Sequence, residues 1–272
     1  MFHHQSLSEN DYFNICYRLG IDPESDTKAT KILDEILDLE KITTTTAILK
    51  ERLQGKNCFV FGAGPSLLEA LQEIQQRLDK KTLQNVRIIA ADGAAKALIK
   101  KEIAIDLVVS DLDGSLSTLK ELHQKGKTII AVHAHGDNIE RLIAVKSLLQ
   151  KGKIIGTTQG NETNKIKNYG GFTDGDRAVY LAANIGAKQI ILFGFDFGDI
   201  IGKFSKPENH QKDFPASTKK KTKLSIAKEL LEKTVNYFPQ LTIFNCTPKG
   251  EPLESIATIN YEQLEDILIK KD

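Results

Sequence analysis

Tryptophan is absent from the 272-residue chain and methionine occurs once; neither scarcity excludes a function. Cysteine says more. Cys16, Cys58 and Cys246 lie far apart and form no CxxC pair, so they read as buried, reduced thiols of a cytoplasmic protein. No apolar run approaches the roughly eighteen residues of a membrane span, and a membrane partner is not expected. The stretch MFHHQSLSEN lacks a basic region followed by an apolar core, the mark of a secretory signal. Neither sign of charge is in excess: 37 Lys and Arg stand against 36 Asp and Glu. That argues against a nucleic-acid partner held by a broad basic face. Internal repeats and low-complexity tracts are missing too.

What is present is an ordinary globular composition, 40% hydrophobic and 27% charged. Residues 1–54 read as helical. ENDYFNICYRL has apolar residues at helical spacing, and ATKILDEILDLEKI carries a stripe of Ile32, Leu33, Ile36, Leu37 and Leu39. No chemistry is visible there. The segment reads as a helical cap packed on the main domain or on a second copy of the chain, which leaves a homo-oligomer open. From Asn57 the pattern changes. Short apolar runs (NCFVFG, VRIIAA, DLVVS, TIIAVH, KIIGTT, QIILFGF, LTIFNC) alternate with helical stretches. This predicts an α/β fold, a Rossmann-like, doubly wound, mostly parallel sheet over residues 55–272 with the N-terminal helical segment appended. Residues 203–223 are polar and Lys-rich and are expected to form a long loop, mobile until it closes over a ligand.

In open parallel sheets ligands bind at the carboxyl ends of the strands. Those ends carry GAGPS (62–66), ADGA (91–94), SDLDG (110–114), HAHGDN (133–138), TTQGN (157–161), GFDFGD (194–199) and NCTPKG (245–250). GAGPS is a glycine turn opening a helix whose amides suit an anion, or a plain structural turn; it matches neither GxGxxG nor a P-loop. In SDLDG, extended backbone would point Asp111 and Asp113 to one site while Leu112 packs elsewhere. Paired carboxylates suit Mg²⁺, which takes hard oxygen ligands; a capping turn is the plainer reading. HAHGDN has two readings. His133, His135 and Asp137 are similar to part of a zinc-hydrolase signature. Alternatively Asp137 joins the Asp111/Asp113 metal site and the histidines bind phosphate or substrate, or are satisfied by local hydrogen bonds. GGFTDGDRA places Arg177 where it could pair with phosphate, and Asp174 or Asp176 could cap the helix. Several acids, a glycine turn, an arginine and a lysine run on one sheet edge are most simply an Mg²⁺–nucleotide site.

Taken in order, GAGPSL, ADGA, DLVVSDLDG, HAHGDN, GGFTDGDRA, GFDFG and NCTPKG resemble the archaeal 6-hydroxymethyl-7,8-dihydropterin pyrophosphokinases over residues 60–250. More distantly the chain is similar to the thiamine pyrophosphokinase catalytic domain, with Asp92, the Asp111/Asp113 pair and Asp137 falling on its acids. Gly114 lacks the hydroxyl of that family's DxDS, and its GGRxDH arginine and histidine are absent, which argues against thiamine. The resemblance implies transfer of pyrophosphate from ATP to a reduced pterin, with AMP leaving. It implies Mg²⁺ on Asp111, Asp113 and Asp137, and Asp137 or Asp174 taking the hydroxyl proton or binding the pterin. Gly64, Ser66, Asp92, His135, Asn138, Arg177 and Lys223 are the implied nucleotide- or substrate-binding residues. The alternatives are a zinc hydrolase on HAHGD and a sugar-transfer or nucleotide-binding protein that shares the core.

Overall fold

The structure, a computed structural model, describes residues 6–206 and 210–269. Its main sheet has nine strands in the order β11-β10-β7-β1-β2-β3-β4-β5-β6. They are β1 (Asn57–Phe61), β2 (Val86–Ala91), β3 (Leu107–Ser110), β4 (Ile129–Ala134), β5 (Ile154–Thr158), β6 (Ile166–Lys167), β7 (Gln189–Phe193), β10 (Thr242–Asn245) and β11 (Ala257–Thr258). Every pairing among them is parallel. A separate antiparallel pair joins β8 (Ile200–Ile201) to β9 (Phe214–Pro215). The seven apolar runs of the sequence are strands, and they are apolar throughout because helices cover both faces. On one face Phe59, Phe61 and Phe193 pack under Leu67, Leu71 and Ile74 of the helix Leu67–Arg77. On the other, Cys58, Val60 and Leu192 lie under Val179 and Ala182 of the helix Asp174–Ile185. This is the doubly wound arrangement expected. All three cysteines are free and buried.

The topology places the ligand crevice. The chain runs outward from β1 to β6, then returns to β7 on the other side of β1. The direction of winding therefore reverses between β1 and β7, and ligands bind outside the carboxyl ends at such a reversal. Gly62 and Gly194 follow these two strands back to back. A Cβ on Gly62 would stand 2.7 Å from the Gly194 oxygen, and one on Gly194 2.5 Å from the Gly62 oxygen. Only glycines let the two chains approach so closely.

Residues ahead of β1 form three helices, α1 (Glu9–Leu19), α2 (Pro23–Ile36) and α3 (Leu39–Leu53). The amphipathic stripe expected to run from Ile32 to Leu39 is interrupted: Leu37 is extended and Asp38 caps α3, accepting from the Lys41 amide at 2.9 Å. Apolar spacing alone did not reveal that cap. α2 packs against β4, β5 and the 3-10 turn Gly136–Asn138. Among the described residues no helix is long and apolar enough to cross a membrane.

The expectation of a structureless loop over 203–223 needs correction. β9 pairs with β8, and the helix Thr218–Tyr237 takes in the whole lysine run. Ser217 caps that helix by accepting from the Lys220 amide at 3.2 Å, and lysine is a good helix former. Residues 207–209 lie outside the described residues.

Candidate active site

β2 ends at Ala91, and Asp92 opens the next helix with its side chain 3% exposed. One Asp92 oxygen accepts from the Ser110 hydroxyl at 2.6 Å and the Gly114 amide at 3.1 Å. The other, Oδ1, is buried without a partner. Gly114 is needed by this contact, since a Cβ there would come within 2.6 Å of the Asp92 carboxyl carbon. The hydroxyl missing from DLDG thus has a steric reason.

β3 stops at Ser110, so Asp111 and Asp113 do not share an extended strand. They converge through a turn in which Leu112 takes φ +67°. The Ser110 hydroxyl accepts from the Leu112 amide at 2.9 Å, and Asp111 Oδ1 accepts from the Asp113 amide at 3.0 Å. A left-handed non-glycine residue costs on the order of 1 kcal/mol and is characteristic of functional turns. Leu112 is buried, as expected. The expected pair of acids therefore faces one place, by a turn and not by pleat alternation. From the far side, Asp174 begins its helix and points at the same place. Asp92, Asp111, Asp113 and Asp174 each offer an oxygen within 4.8 Å of the others. Asp176 does the capping, accepting from the Phe172 amide at 2.6 Å and the Thr173 amide at 2.9 Å.

Four acids this close disturb one another. Burial pushes Asp92 up to about 7; Ser110 pulls against it while the charges of Asp111 and Asp113 reinforce it. Burial, then Asp111, Asp92 and Asp113, hold Asp174 well above its ordinary value, with Arg177 opposing. Loss of water and the Asp111 charge raise Asp113. Asp111 goes the other way: burial opposes ionisation, but its His135 hydrogen bond, at 3.3 Å, carries it below the usual carboxylate range. A cluster that resists holding its own charge, with a spare buried oxygen, fits a hard divalent cation.

The histidines do not assemble a zinc site. His133 is buried with Nδ1 on the Thr157 hydroxyl at 3.0 Å. Burial, then Arg177 and His135, hold it well below its ordinary value and therefore neutral. Asp137 is exposed on the 3-10 turn and is not one of the four clustered acids. Among the described residues the group that could hold a metal is all carboxylate. Asn138 is fully buried and serves the backbone. Its Nδ2 donates to the Asp111 and His133 carbonyls, both at 2.7 Å, and its Oδ1 accepts from the His135 amide.

The acids border a cleft of about 400 Å³ that runs along the sheet edge. At one end lie Gly64, Asp196, Lys206, Lys220 and Lys223. Here the helix terminus of GAGPS already faces an anion of the protein's own. Asp196 accepts from the Ser66 hydroxyl at 2.9 Å and from the Ser66 amide at 3.3 Å, and its carboxylate lies where a Gly64 Cβ would be. Loss of water and Lys223 lower Lys220, against the pull of Asp174 and Asp113. Arg177, 2% exposed, lines the middle; Nη2 donates to the Phe172 carbonyl, while Nε and Nη1 lack partners. The other end is walled by the α1–α2 turn, with Asp26, and by Gln159. Sequence reading missed Asp26, Gln159, Asp196 and Lys220. For Asp196 and Gln159 the signal existed, since both sit in strand-end motifs.

The chain matches the family described as 6-hydroxymethylpterin diphosphokinase MptE-like over residues 30–202. It is 41% identical over 226 residues to a 6-hydroxymethyl-7,8-dihydropterin pyrophosphokinase from Pyrococcus furiosus, which covers 81% of this chain and 90% of the relative. A protein of the same name from Methanocaldococcus jannaschii is 41% identical over 227 residues, covering 81% and 91%. One from Methanothermobacter thermautotrophicus is 37% identical over 221 residues, covering 81% and 90%. Among solved structures, the MAf glycosyltransferase from Magnetospirillum magneticum AMB-1 overlays 82% of this chain and 38% of its own, at 15% identity and a TM-score of 0.49. That likeness is too loose to bear on function.

Proposed function

The chain belongs to the MptE-like 6-hydroxymethylpterin diphosphokinase family, and on that premise we propose that it transfers pyrophosphate from ATP to 6-hydroxymethyl-7,8-dihydropterin. The hydroxymethyl oxygen attacks the β-phosphorus. The bond from that phosphorus to the oxygen bridging to the α-phosphorus breaks, and AMP leaves with that oxygen. The substrate supplies the nucleophile, so the protein's work is positioning and charge neutralisation. The observation that carries this reading is the convergence of four carboxylates beside Lys220 at the sheet's carboxyl edge.

Asp92, Asp111, Asp113 and Asp174 would hold Mg²⁺. This replaces the expected set of Asp111, Asp113 and Asp137, because Asp137 stands outside the cluster. When bound, the cation offsets charge developing on the phosphates. Lys220 and Lys223, which line the cleft, would neutralise the outer phosphates. We assign acceptance of the hydroxyl proton to Asp174, which enters the cluster from the helix on its far side. His135 keeps Asp111 ionised and Asn138 fixes the Asp111 backbone, so both act through that carboxylate. Residues 55–272 carry the reacting groups and the N-terminal helices complete the cleft wall. Incubation with ATP, Mg²⁺ and the pterin should yield AMP in proportion to pterin consumed. ADP as the nucleotide product, or turnover with thiamine and none with the pterin, would overturn the reading.

A further inference from the structure

The cleft has two chemically different ends, with the four acids between them. The end nearest β1 and β7 is lined by glycines and lysines and suits phosphates. The opposite end is acidic, amide-lined and partly apolar. It is built by the N-terminal helices, far in sequence from the motifs above. Asp26, 1% exposed on α2, accepts three hydrogen bonds: from the Tyr12 hydroxyl at 2.7 Å, the Gly136 amide at 2.7 Å and the Gln159 side-chain amide at 2.6 Å. α1, α2, the turn bearing His135 and the end of β5 are tied at one carboxylate. The fit is close, since a Cβ on Gly136 would meet the Ser25 Cβ at 2.6 Å.

This junction orients Gln159. Gln159 donates Nε2 to Asp26, so its Oε1 is the end turned away from that carboxylate. Arg177, which lines the same cleft, has two buried donors, Nε and Nη1, without partners. A buried guanidinium with spare donors calls for an acceptor. Phe172, Leu19 and Ile21 supply apolar surface around them. An acceptor and a donor lining one cleft together with apolar groups suit the edge of a flat amide-type heterocycle: a ring N–H next to a ring carbonyl. A triphosphate is disfavoured there, because Asp22 and Asp26 make this end negative.

Resting on the pyrophosphokinase reading, we propose that this end is the pterin subsite. The ring N–H donates to Gln159 Oε1, the ring carbonyl accepts from Arg177, and the hydroxymethyl arm points to the four acids. Asp26 is a positioning residue that sets the Gln159 amide, and this is what the N-terminal segment contributes to the site. The nucleotide then occupies the lysine end.

Binding can be read without turnover. 6-Hydroxymethylpterin, titrated by its fluorescence without nucleotide, should bind Gln159→Leu at least about tenfold more weakly than wild type, the loss of one buried hydrogen bond that leaves a polar edge unmatched. A non-hydrolysable ATP analogue titrated by calorimetry should bind both proteins within about twofold. Asp26→Asn should raise the pterin KM and leave the ATP KM unchanged; a merely structural role would lower kcat and move both. If Gln159→Leu does not fold, Gln159→Asn withdraws the acceptor by one methylene and serves instead. Unchanged pterin binding in a folded variant, or equal weakening of both ligands, overturns the subsite while wild-type AMP production leaves the functional reading standing. A wild-type protein that neither binds the pterin nor makes AMP overturns both.

Discussion

Asn138 clamps Asp111 from behind. Its Nδ2 donates to the Asp111 carbonyl at 2.7 Å and, at the same distance, to the His133 carbonyl. One side chain thus bridges the ends of β3 and β4 and sets the backbone that carries the most acidic of the four carboxylates. Asn138→Ala leaves two carbonyls and the His135 amide without a partner in a fully buried position. It should cost about 2–4 kcal/mol of stability and lower turnover more than it raises either KM. Asn138→Asp should destabilise at least as much, because its oxygens meet two carbonyls. Denaturant titration and steady-state kinetics on both variants are the check, and an Asn138→Ala protein of wild-type stability would refute the clamp.

Asp113 separates metal binding from capping. Asp111 accepts the Asp113 amide, so at Asp111 both roles coincide and its loss should harm folding and catalysis together. Asp113 stands at the exposed rim, its proton affinity raised by loss of water and by Asp111. Asp113→Asn relieves that repulsion. Melting temperature should hold or rise slightly, while Mg²⁺-dependent turnover falls on the order of 10²-fold. A clear fall in melting temperature with near-normal turnover would remove Asp113 from the cation site.

The contrast between Asp174 and Asp26 shows how far sequence reading reaches here. Asp92, Asp111, Asp113 and Asp174 all sit at or just after strand ends or at a helix start, and parallel-sheet topology gathers such positions on one edge. Their convergence was legible once the strands were. The DxD geometry was less so, because the left-handed Leu112 turn depends on the Ser110 hydroxyl and on Gly114 admitting Asp92. Asp137 was misjudged for a related reason. It follows β4, but a 3-10 turn capped by His135 carries it to the surface. Asp26 was invisible. It lies on an amphipathic helix with ordinary spacing, and its partners Gly136 and Gln159 are 110 and 133 residues away. No local pattern encodes a contact of that range.

Asp92 should link stability, pH and metal. Its folded proton affinity, near 7, stands above its ordinary 3.8. The native state keeps a proton that the unfolded chain has released. That preference is fully present below about pH 4 and is lost as pH rises through about 7, a difference of up to about 4 kcal/mol. In metal-free protein, Asp92→Asn removes the dependence. The variant's melting temperature relative to wild type should therefore climb between about pH 4 and pH 7 and level off above. Mg²⁺ added at the upper pH should stabilise wild type and not the variant, because the cation favours the ionised cluster of the folded state. Melting curves that stay parallel across this range, with and without Mg²⁺, would contradict the assignment of Asp92 to the cation site.

Lys220 sits where a helix least favours it. The first turn of the helix Thr218–Tyr237 holds Lys219, Lys220 and Lys221 and no acidic residue, although the positive end of a helix dipole prefers anions by roughly 0.3–1 kcal/mol per charge. Loss of water and Lys223 lower its proton affinity further, and only Asp174 and Asp113 compensate. A lysine kept at such a place is explained by a ligand that repays it, and the lysine end of the cleft is where the nucleotide phosphates are assigned. Lys220→Met should leave melting temperature unchanged or higher. It should raise the ATP KM by about tenfold, the worth of one charged hydrogen bond, and leave the pterin KM within about twofold. Lys221→Met, at an exposed position outside the cleft lining, should do neither. The salt dependence of the ATP KM should also flatten in the Lys220 variant, since a screened charge has been removed. If the Lys220 variant bound ATP as tightly as wild type and melted lower, the lysine would be holding the helix in place and the phosphates would have to lie elsewhere along the cleft.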